Sequence, residues 1–338
     1  LIHHGIWDFD IPCAPVLVDV TVNGKPVKAL AQPTKQSILY VLNRVTGEPV
    51  WPIEERPVEQ STVPGEKTSP TQPFPTKPPF YGRNGFAMSD ILDFTPEIKA
   101  LGEKLASRYK IGPIFTPPAE SKPDGPLGTL SIGSTIGGTN WFGGSHDPET
   151  GIFYVFSQGL VGSLSLVRPG EGESEMNFVS GRTRSTGESF GDSSSGAGLT
   201  IQGLPLIKPP YGTISAIDLN KGEILWQAVH GDTPDIIKNH PLLKGVTIPK
   251  TGRPGLIGTL VTKSLVIAGE GGVATTAKGK GAFLRAYDKQ SGKDAGEVFM
   301  PAGQTGSPMT YMLGGKQYVV IAIGAAGFPA ELVAYRLP

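Results

Sequence analysis

The chain has 338 residues, 38% of them hydrophobic, which is enough to bury a substantial core in one large domain or two smaller ones. Its 30 acidic and 30 basic side chains leave no net charge, and this balance argues against nucleic acid or an anionic membrane surface as the main partner. The 46 glycines and 32 prolines separate many short apolar runs, a composition typical of an all-β protein rich in turns.

Cysteine usage and the start of the chain say little about its compartment. Cys13 is the single cysteine, so an internal disulfide cannot form. The sequence has no apolar run long enough to span a bilayer. Because it starts at Leu1 rather than Met, we expect it to be the interior of a longer gene product.

Near the start of the chain, acids alternate with large aromatic residues in Trp7-Asp8-Phe9-Asp10. Lys35 follows one hairpin later, in a strand expected over residues 27–40, so a carboxylate and a cation could meet in one pocket. Since residues i and i+2 share a face of a strand, Asp8 and Asp10 could both approach a hard cation. From these residues alone, a turn aspartate and a surface lysine are the alternative.

A pattern of apolar strand, Asp or Asn, short polar link, Gly and second strand recurs at residues 39–51, 145–156, 215–226 and 284–299. Each copy predicts an antiparallel hairpin, because its glycine can take a positive φ without steric cost. The glycines at 151, 222 and 292 lie 71 and 70 residues apart, longer than the repeats of about 40–50 residues in common propellers. We favour a β-propeller over four hairpins of a β-sandwich, because two copies also end in Trp.

Two insertions interrupt the repeats. The first, at about 52–126, is rich in proline and predicts extended backbone that is incompatible with a sheet, running over the surface. Within it, Thr95-Pro96 predicts the start of one short helix that packs against the propeller flank. The apolar stripe of this helix is Ile98, Leu101, Leu105 and Tyr109. The second insertion, at about 168–203, is dense in Gly, Ser, Glu and Thr and predicts a mobile loop.

A second candidate site is Gly137-Gly138-Thr139-Asn140-Trp141. Two glycines let the backbone approach a flat ligand, Asn140 can donate and accept hydrogen bonds, and Trp141 offers a ring face. Structural packing is an equal alternative for Trp141. A third candidate, a serine nucleophile at Ser193 or Ser195, lacks the spacing of a nucleophile elbow, so a hydrolase is the least favoured function.

Five stretches, at 3–12, 35–51, 70–74, 114–118 and 306–322, together resemble the quinoprotein dehydrogenases, which use pyrroloquinoline quinone (PQQ), and within them the glucose-dehydrogenase-like branch. The resemblance implies an all-β, eight-bladed propeller, of which this chain would supply about four blades. Residues 1–338 would then be one partial propeller domain, completed by a missing propeller half or by self-association.

The resemblance also implies the site. Asp8 would be the catalytic base and Lys35 would polarise the quinone, while Asn140 and Trp141 would contact PQQ. Asp8 and Asp10 would bind calcium or another divalent ion, or a lanthanide. The implied reaction oxidises an alcohol, sugar or polyol hydroxyl in the periplasm and passes electrons to a quinone or cytochrome. The alternative is a non-catalytic propeller fragment that acts as a binding or assembly module.

Overall fold

The computed structural model describes residues 1–183 and 198–336. The chain begins with a three-stranded antiparallel sheet, the first sheet, made of β1 (Val16–Val22), β2 (Lys25–Pro33) and β3 (Leu39–Asn43) in that order. After the turn that follows β3, Val50 N donates to Val41 O at 2.9 Å. The hairpin predicted at residues 39–51 is therefore confirmed.

The proline-rich insertion contains a strand pair, so the expectation that its backbone is incompatible with a sheet was wrong. β4 (Ile53–Pro57) pairs antiparallel with β5 (Thr71–Pro75), and Pro73 and Pro75 lie opposite Glu55 and Ile53. Alternate residues of a two-stranded ribbon point their nitrogens away from the partner, so prolines two positions apart are compatible with the pairing.

The predicted helix is present as α1 (Pro96–Ala106). Thr95 Oγ1 accepts a hydrogen bond from Ile98 N at 3.2 Å, and Pro96 occupies the first helical position. The predicted stripe faces a large apolar cluster that includes Leu92 and Ile207. A second, single-turn helix, α2 (Asp235–Lys238), was not predicted, because four residues are too few to show a helical period. Single 3₁₀ turns occur at Met88–Asp90 and Pro241–Leu243.

The middle of the chain contributes β6 (Ala119–Glu120), β7 (Thr129–Ile132), β8 (Gly144–Asp147), β9 (Ile152–Gln158), β10 (Val161–Val167), β11 (Val179–Ser180), β12 (Thr200–Ile201), β13 (Leu204–Pro205), β14 (Gly212–Asp218) and β15 (Glu223–Val229). The second sheet has the order β8-β9-β14-β15 and contains two of the predicted hairpins. Between β9 and β14 the chain leaves this sheet: β10 pairs with β6, β7 and β11, and β12 pairs with β13. Ser193 and Ser195 lie outside the described residues, as does the rest of 184–197.

The end of the chain contributes β16 (Leu260–Val261), β17 (Leu265–Gly269), β18 (Ala274–Thr276), β19 (Gly279–Asp288), β20 (Asp294–Met300), β21 (Gly303–Gln304), β22 (Met309–Leu313), β23 (Lys316–Ala325) and β24 (Phe328–Arg336). The third sheet has the order β16-β17-β19-β20, with β18 extending one end of β19. The fourth sheet has β22, β23 and β24 side by side, with β21 on β23. The hairpin predicted at 284–299 is confirmed, and the stretch at 306–322 contributes to a hairpin of β22 and β23.

The four sheets stack face to face in chain order. One apolar cluster joins the first and second sheets through Val20 and Phe153, the next joins the second and third through Ile214 and Val266, and another joins the third and fourth. In addition, Trp51 lies against Gly222, and Trp226 lies against Gly292 in the turn of the next sheet. The Trp and Gly of the repeat therefore form the same kind of contact at two successive interfaces between sheets.

The two outer faces of this stack remain exposed. On the first sheet Leu17 is 63% exposed, and on the fourth sheet Met309 and Leu332 are 53% and 77% exposed. Met309 lies opposite Val320, and Leu332 lies opposite Ala322, so these side chains share one face of the fourth sheet. Among the residues that the structure describes, none lies in a helix with the length and apolar character needed to cross a membrane.

Candidate functional site

Asp8, Asp10 and Lys35 come together in one cluster. Lys35 Nζ donates to the backbone oxygen of Asp8 at 2.9 Å, lies 3.5 Å from Asp8 Oδ2, and also contacts Asp10 Oδ1. The Lys35 side chain is only 8% exposed, whereas those of Asp8 and Asp10 are 62% and 56% exposed. A nearly buried ammonium thus meets two carboxylates that remain open to solvent.

The backbone that brings these groups together differs from the expected strands. β2 ends at Pro33 and β3 begins at Leu39, so Lys35 lies in the turn between them rather than in a strand over residues 27–40. Asp8 has a φ of 59°, and residues 7–10 form no ladder. Buried and exposed residues nevertheless alternate along this segment, since Trp7 and Phe9 are buried while Asp8 and Asp10 are exposed. The strand assignment was wrong, but the two carboxylates do share a side.

Buried aromatic packing fixes the backbone of Asp8. Trp7 Nε1 donates to Thr116 O at 2.9 Å, and its ring lies 5.3 Å from that of Phe115, edge to face. Trp7 and Phe9 are stacked with ring centroids 6.0 Å apart. Because Trp7 is 1% exposed, it anchors this segment in the core instead of covering the carboxylate.

The turn that carries Lys35 is a buried polar run that sequence reasoning missed. Gln32, Thr34, Gln36 and Ser37 are all at most 8% exposed. Gln36 Nε2 donates to Phe9 O at 3.2 Å, which ties the turn to the acidic segment, while Gln36 Oε1 and Ser37 Oγ are buried without hydrogen-bond partners. The available signal was only a polar run between two apolar strands, and its length is also typical of an exposed hairpin loop.

The Gly137–Trp141 loop packs against this turn. Gly138 N donates to Lys35 O at 2.7 Å, and a Cβ added at Gly137 would lie 2.6 Å from Lys35 Cβ, so a side chain there would collide with Lys35. Asn140 Nδ2 donates to Ile136 O at 2.6 Å. Trp141 is 63% exposed, which disagrees with the packing alternative. The loop therefore contacts Lys35 through Gly137 and Gly138, whereas the Asn140 side chain bonds to Ile136 O and to Trp141 N within the loop itself.

A hydrogen bond from the single cysteine joins the loop to the acidic segment. Cys13 Sγ donates to Asn140 O at 3.0 Å, and Cys13 O accepts from Gln32 Nε2 at 2.8 Å. Burial raises the pKa of the Cys13 thiol to about 12, so the thiol stays protonated at neutral pH and keeps its donor. Cys13 therefore has a structural role at this site.

The carboxylates border a cleft of about 350 Å³ that is also lined by Leu1, Ile2 and Gly5. Calcium prefers oxygen ligands, and it takes about six to eight of them from carboxylates, carbonyl groups and water. Within residues 1–183 and 198–336, however, no group of three or more His, Cys, Asp or Glu side chains could hold a metal. Asp8 and Asp10 fit a hard cation as part of a coordination shell that needs further donors.

The stacked sheets with a polar cluster at one edge define a β-propeller with a candidate ligand site. A family model described as "PQQ: Glucose/ethanol/alcohol dehydrogenase, beta-propeller domain" matches residues 1–319. The chain belongs to this family. The family and the β-propeller class expected from the sequence are thereby confirmed.

The curated relatives are named as dehydrogenases. Quinoprotein glucose dehydrogenase of Escherichia coli (strain K12) is 33% identical over 100% of this chain and 42% of that protein. Probable quinate dehydrogenase (quinone) of Xanthomonas campestris pv. juglandis is 31% identical, again over 100% and 42%. The glycerol dehydrogenase large subunit of Gluconobacter oxydans (strain 621H) is 30% identical over 100% and 46%. The chain thus spans less than half the length of these relatives.

Among solved structures, the quinohemoprotein alcohol dehydrogenase from Comamonas testosteroni is similar to this chain with a TM-score of 0.49 and 19% identity. The match covers 94% of this chain and 35% of that chain.

Proposed function

We propose that the chain is part of a PQQ-dependent dehydrogenase that oxidises the hydroxyl group of an alcohol, sugar or polyol. The observation that carries this proposal is the contact of the Lys35 ammonium with Asp8 and Asp10 beside an open cleft. Membership of the PQQ family and relatives named for glucose, quinate and glycerol support it.

Asp8 is the general base in this proposal. Its exposed carboxylate can reach a substrate hydroxyl in the cleft and accept its proton, while the buried Trp7 and Phe9 hold its backbone in place. When bound, PQQ supplies the acceptor for the two electrons that leave the substrate carbon with hydride. Lys35 carries a positive charge beside Asp8, and it stabilises negative charge that develops on a ligand oxygen.

Three further residues complete the proposed binding site. Asp10, together with Asp8, binds calcium or another divalent ion, or a lanthanide, because carboxylates suit hard cations. Asn140 and Trp141 contact the cofactor from the loop that lies against Lys35. The exposed Trp141 ring offers an apolar face, and the preceding glycines keep the backbone free of side chains.

The proposed partners follow from the family and from the exposed sheet faces. A quinone or a cytochrome is the proposed electron acceptor, and the name of the quinate relative supports the quinone. The periplasm is the proposed compartment. We propose that residues 1–338 form one partial propeller domain. Apolar patches of this kind rarely stay exposed to water, so we propose that further blades pack on the outer faces of the stack. The alternative is that a second copy of the chain packs there.

Titration with PQQ tests this function. The full chain, alone and together with any polypeptide that completes its propeller, is mixed with PQQ and Ca²⁺, or with PQQ and La³⁺, while the absorbance of PQQ is recorded. We expect a metal-dependent spectral change and bleaching by one of D-glucose, glycerol and 1-butanol. If the chain binds PQQ neither alone nor together with a completing polypeptide, it is instead a non-catalytic module for binding or assembly.

A further inference from the structure

We propose that the cavity between the second sheet and residues 80–83 binds a small hydroxylated carboxylate, and that Arg83 binds the carboxylate group. The cavity has a volume of about 370 Å³ and shares no lining residue with the cleft at Asp8 and Asp10. Small-molecule sites in proteins have volumes of about 300–1,000 Å³, so the cavity is large enough for such a ligand. This inference goes beyond the proposed function and does not depend on it.

One face of the second sheet forms the floor of the cavity. Ser157 of β9 and Val229 of β15 each lie opposite Thr213 of β14, so their side chains form a row across the three strands. Neither hydroxyl of this row is engaged in a hydrogen bond with another residue that the structure describes. Gln227 Nε2 donates to Tyr81 O at 2.9 Å, so its Oε1 is the acceptor that remains for a ligand.

Arg83 lines the cavity as a partly buried cation without a counter-ion. Its Nη2 donates to Pro210 O at 2.9 Å, and a Cβ added at Gly159 would lie 2.6 Å from Nη2, so the guanidinium lies directly over this glycine. Within the described part of the chain, no carboxylate lies at ion-pair distance from Arg83. Asp90 acts on it from farther away, and Asp90 Oδ2 already accepts from Ala87 N at 2.8 Å. With one neutral partner, the guanidinium has N–H donors left for an anion.

The side chains around the cavity favour a carboxylate over a phosphate group. A guanidinium is planar, and its parallel N–H groups match the two oxygens of a carboxylate. Of the described residues that line the cavity, Arg83 alone is charged, so it balances one negative charge but not the two of a phosphate. The hydroxyls of Ser157 and Thr213 and the amide of Gln227 suit the hydroxyl groups of a ligand. Phe80 offers apolar surface to its carbon atoms.

Residues 80–83, which form the wall opposite the second sheet, are held by the turn that carries Lys35. Tyr81 N donates to Ser37 O at 3.1 Å. A Cβ added at Gly82 would lie 2.5 Å from Ser37 Oγ, so the two segments are in close contact. A ligand that contacts both Arg83 and the second sheet joins this wall to the floor of the cavity. Because such a ligand binds the folded chain and not the unfolded one, it stabilises the fold.

Calorimetric titration of the full chain with D-gluconate, without PQQ or metal, tests the site. D-gluconate carries one carboxylate on a chain of hydroxyl groups, and D-sorbitol is the matched neutral probe because it has a hydroxymethyl group in place of the carboxylate. We expect D-gluconate to bind about tenfold or more tightly than D-sorbitol and inorganic phosphate, since hydrogen bonds to a charged group are strong. Equal or tighter binding of either control, or no binding of D-gluconate, overturns the proposal.

Three variants locate the bound D-gluconate. Arg83→Met should weaken its binding about tenfold or more and remove the rise in unfolding temperature that D-gluconate produces in the wild type. Thr213→Val keeps the shape of the side chain and should weaken binding about two- to tenfold, so it tests the site even if Arg83→Met does not fold. Arg56→Met, which removes a half-exposed arginine paired with Glu54 on β4, should change the affinity less than about twofold. Unchanged binding in folded Arg83→Met, or in Thr213→Val if Arg83→Met does not fold, overturns the proposal.

Discussion

Gly292 lies in the turn of the third sheet against the ring of Trp226, which belongs to the second sheet, and its replacement by Ala tests how neighbouring sheets are joined. A Cβ at Gly292 would lie 2.6 Å from Trp226 Cε3. The ring cannot move away freely, because Trp226 Nε1 donates to Lys289 O at 3.2 Å. Gly314 provides the control, since it also has a positive φ, 56° against 69°, but a Cβ there meets nothing within 4 Å.

The two variants share one destabilising effect and differ in a second. Each places Ala in left-handed backbone, at about 1–2 kcal/mol. Gly292→Ala also overpacks the contact with Trp226, which adds about 1–3 kcal/mol. We therefore expect Gly292→Ala to lower the free energy of unfolding by about 2–5 kcal/mol and Gly314→Ala by about 1–2 kcal/mol.

Urea unfolding of both variants, followed by tryptophan fluorescence and by circular dichroism, measures this difference. The slope with urea should stay the same, so that the shift in midpoint reports stability. Equal losses in the two variants would refute the view that the Trp–Gly contact holds adjacent sheets together.

Three further predictions concern the sheet interfaces and the site. Burial opposes ionisation of Asp147, but hydrogen bonds from Lys289 Nζ at 2.7 Å, Thr150 Oγ1 at 2.7 Å and Glu149 N at 3.1 Å together outweigh it and keep the pKa of Asp147 below its usual value. The Asp147–Lys289 pair therefore stabilises the fold at neutral pH, and its contribution is lost as the solution is acidified through the lowered pKa. Asp147→Asn should weaken the loss of stability on acidification and cost about 3–5 kcal/mol at pH 7. Lys35→Ala should slow the reduction of bound PQQ more than it weakens PQQ binding, and an unchanged rate at saturating PQQ contradicts this role. If another chain covers the outer face of the fourth sheet, Leu332→Glu should lower the mass of the assembly measured by light scattering. A wild-type protein that is a stable monomer would show that no other chain covers this face.

The repeating hairpins could be predicted because the contacts that form each turn join residues close together in the sequence. In the turn after β14, Asn220 N donates to Asp218 Oδ1 at 2.8 Å and Gly222 N donates to Asp218 O at 2.7 Å. In the turn after β19, Ser291 N donates to Asp288 Oδ1 at 2.9 Å, and Gly292 N donates to Asp288 O at 2.9 Å. These contacts involve residues at most four positions apart, so their spacing is visible in the sequence.

The proximity of Asp8 and Lys35 was predictable from the sequence, but the backbone that brings them together was not. Asp8 and Lys35 were placed together by the resemblance, yet both lie outside strands, because a positive φ at Asp8 and the buried turn around Lys35 are set by tertiary contacts. The bond from Cys13 Sγ to Asn140 O joins residues 127 positions apart, and nothing in local sequence indicates it. The roles of Asp8, Asp10, Lys35, Asn140 and Trp141 remain predictions.

The most direct test of the proposed catalytic role is the rate at which substrate reduces bound PQQ in Asp8→Asn. The measurement uses stopped-flow absorbance on the metal-loaded assembly that contains this chain, with the best substrate of D-glucose, glycerol and 1-butanol. Asp19→Asn, which changes a 74% exposed carboxylate on the first sheet, is the matched control. We expect a loss of about a hundredfold or more for Asp8→Asn and an unchanged rate for Asp19→Asn. A near-native rate in Asp8→Asn, with PQQ and metal bound, would contradict the account.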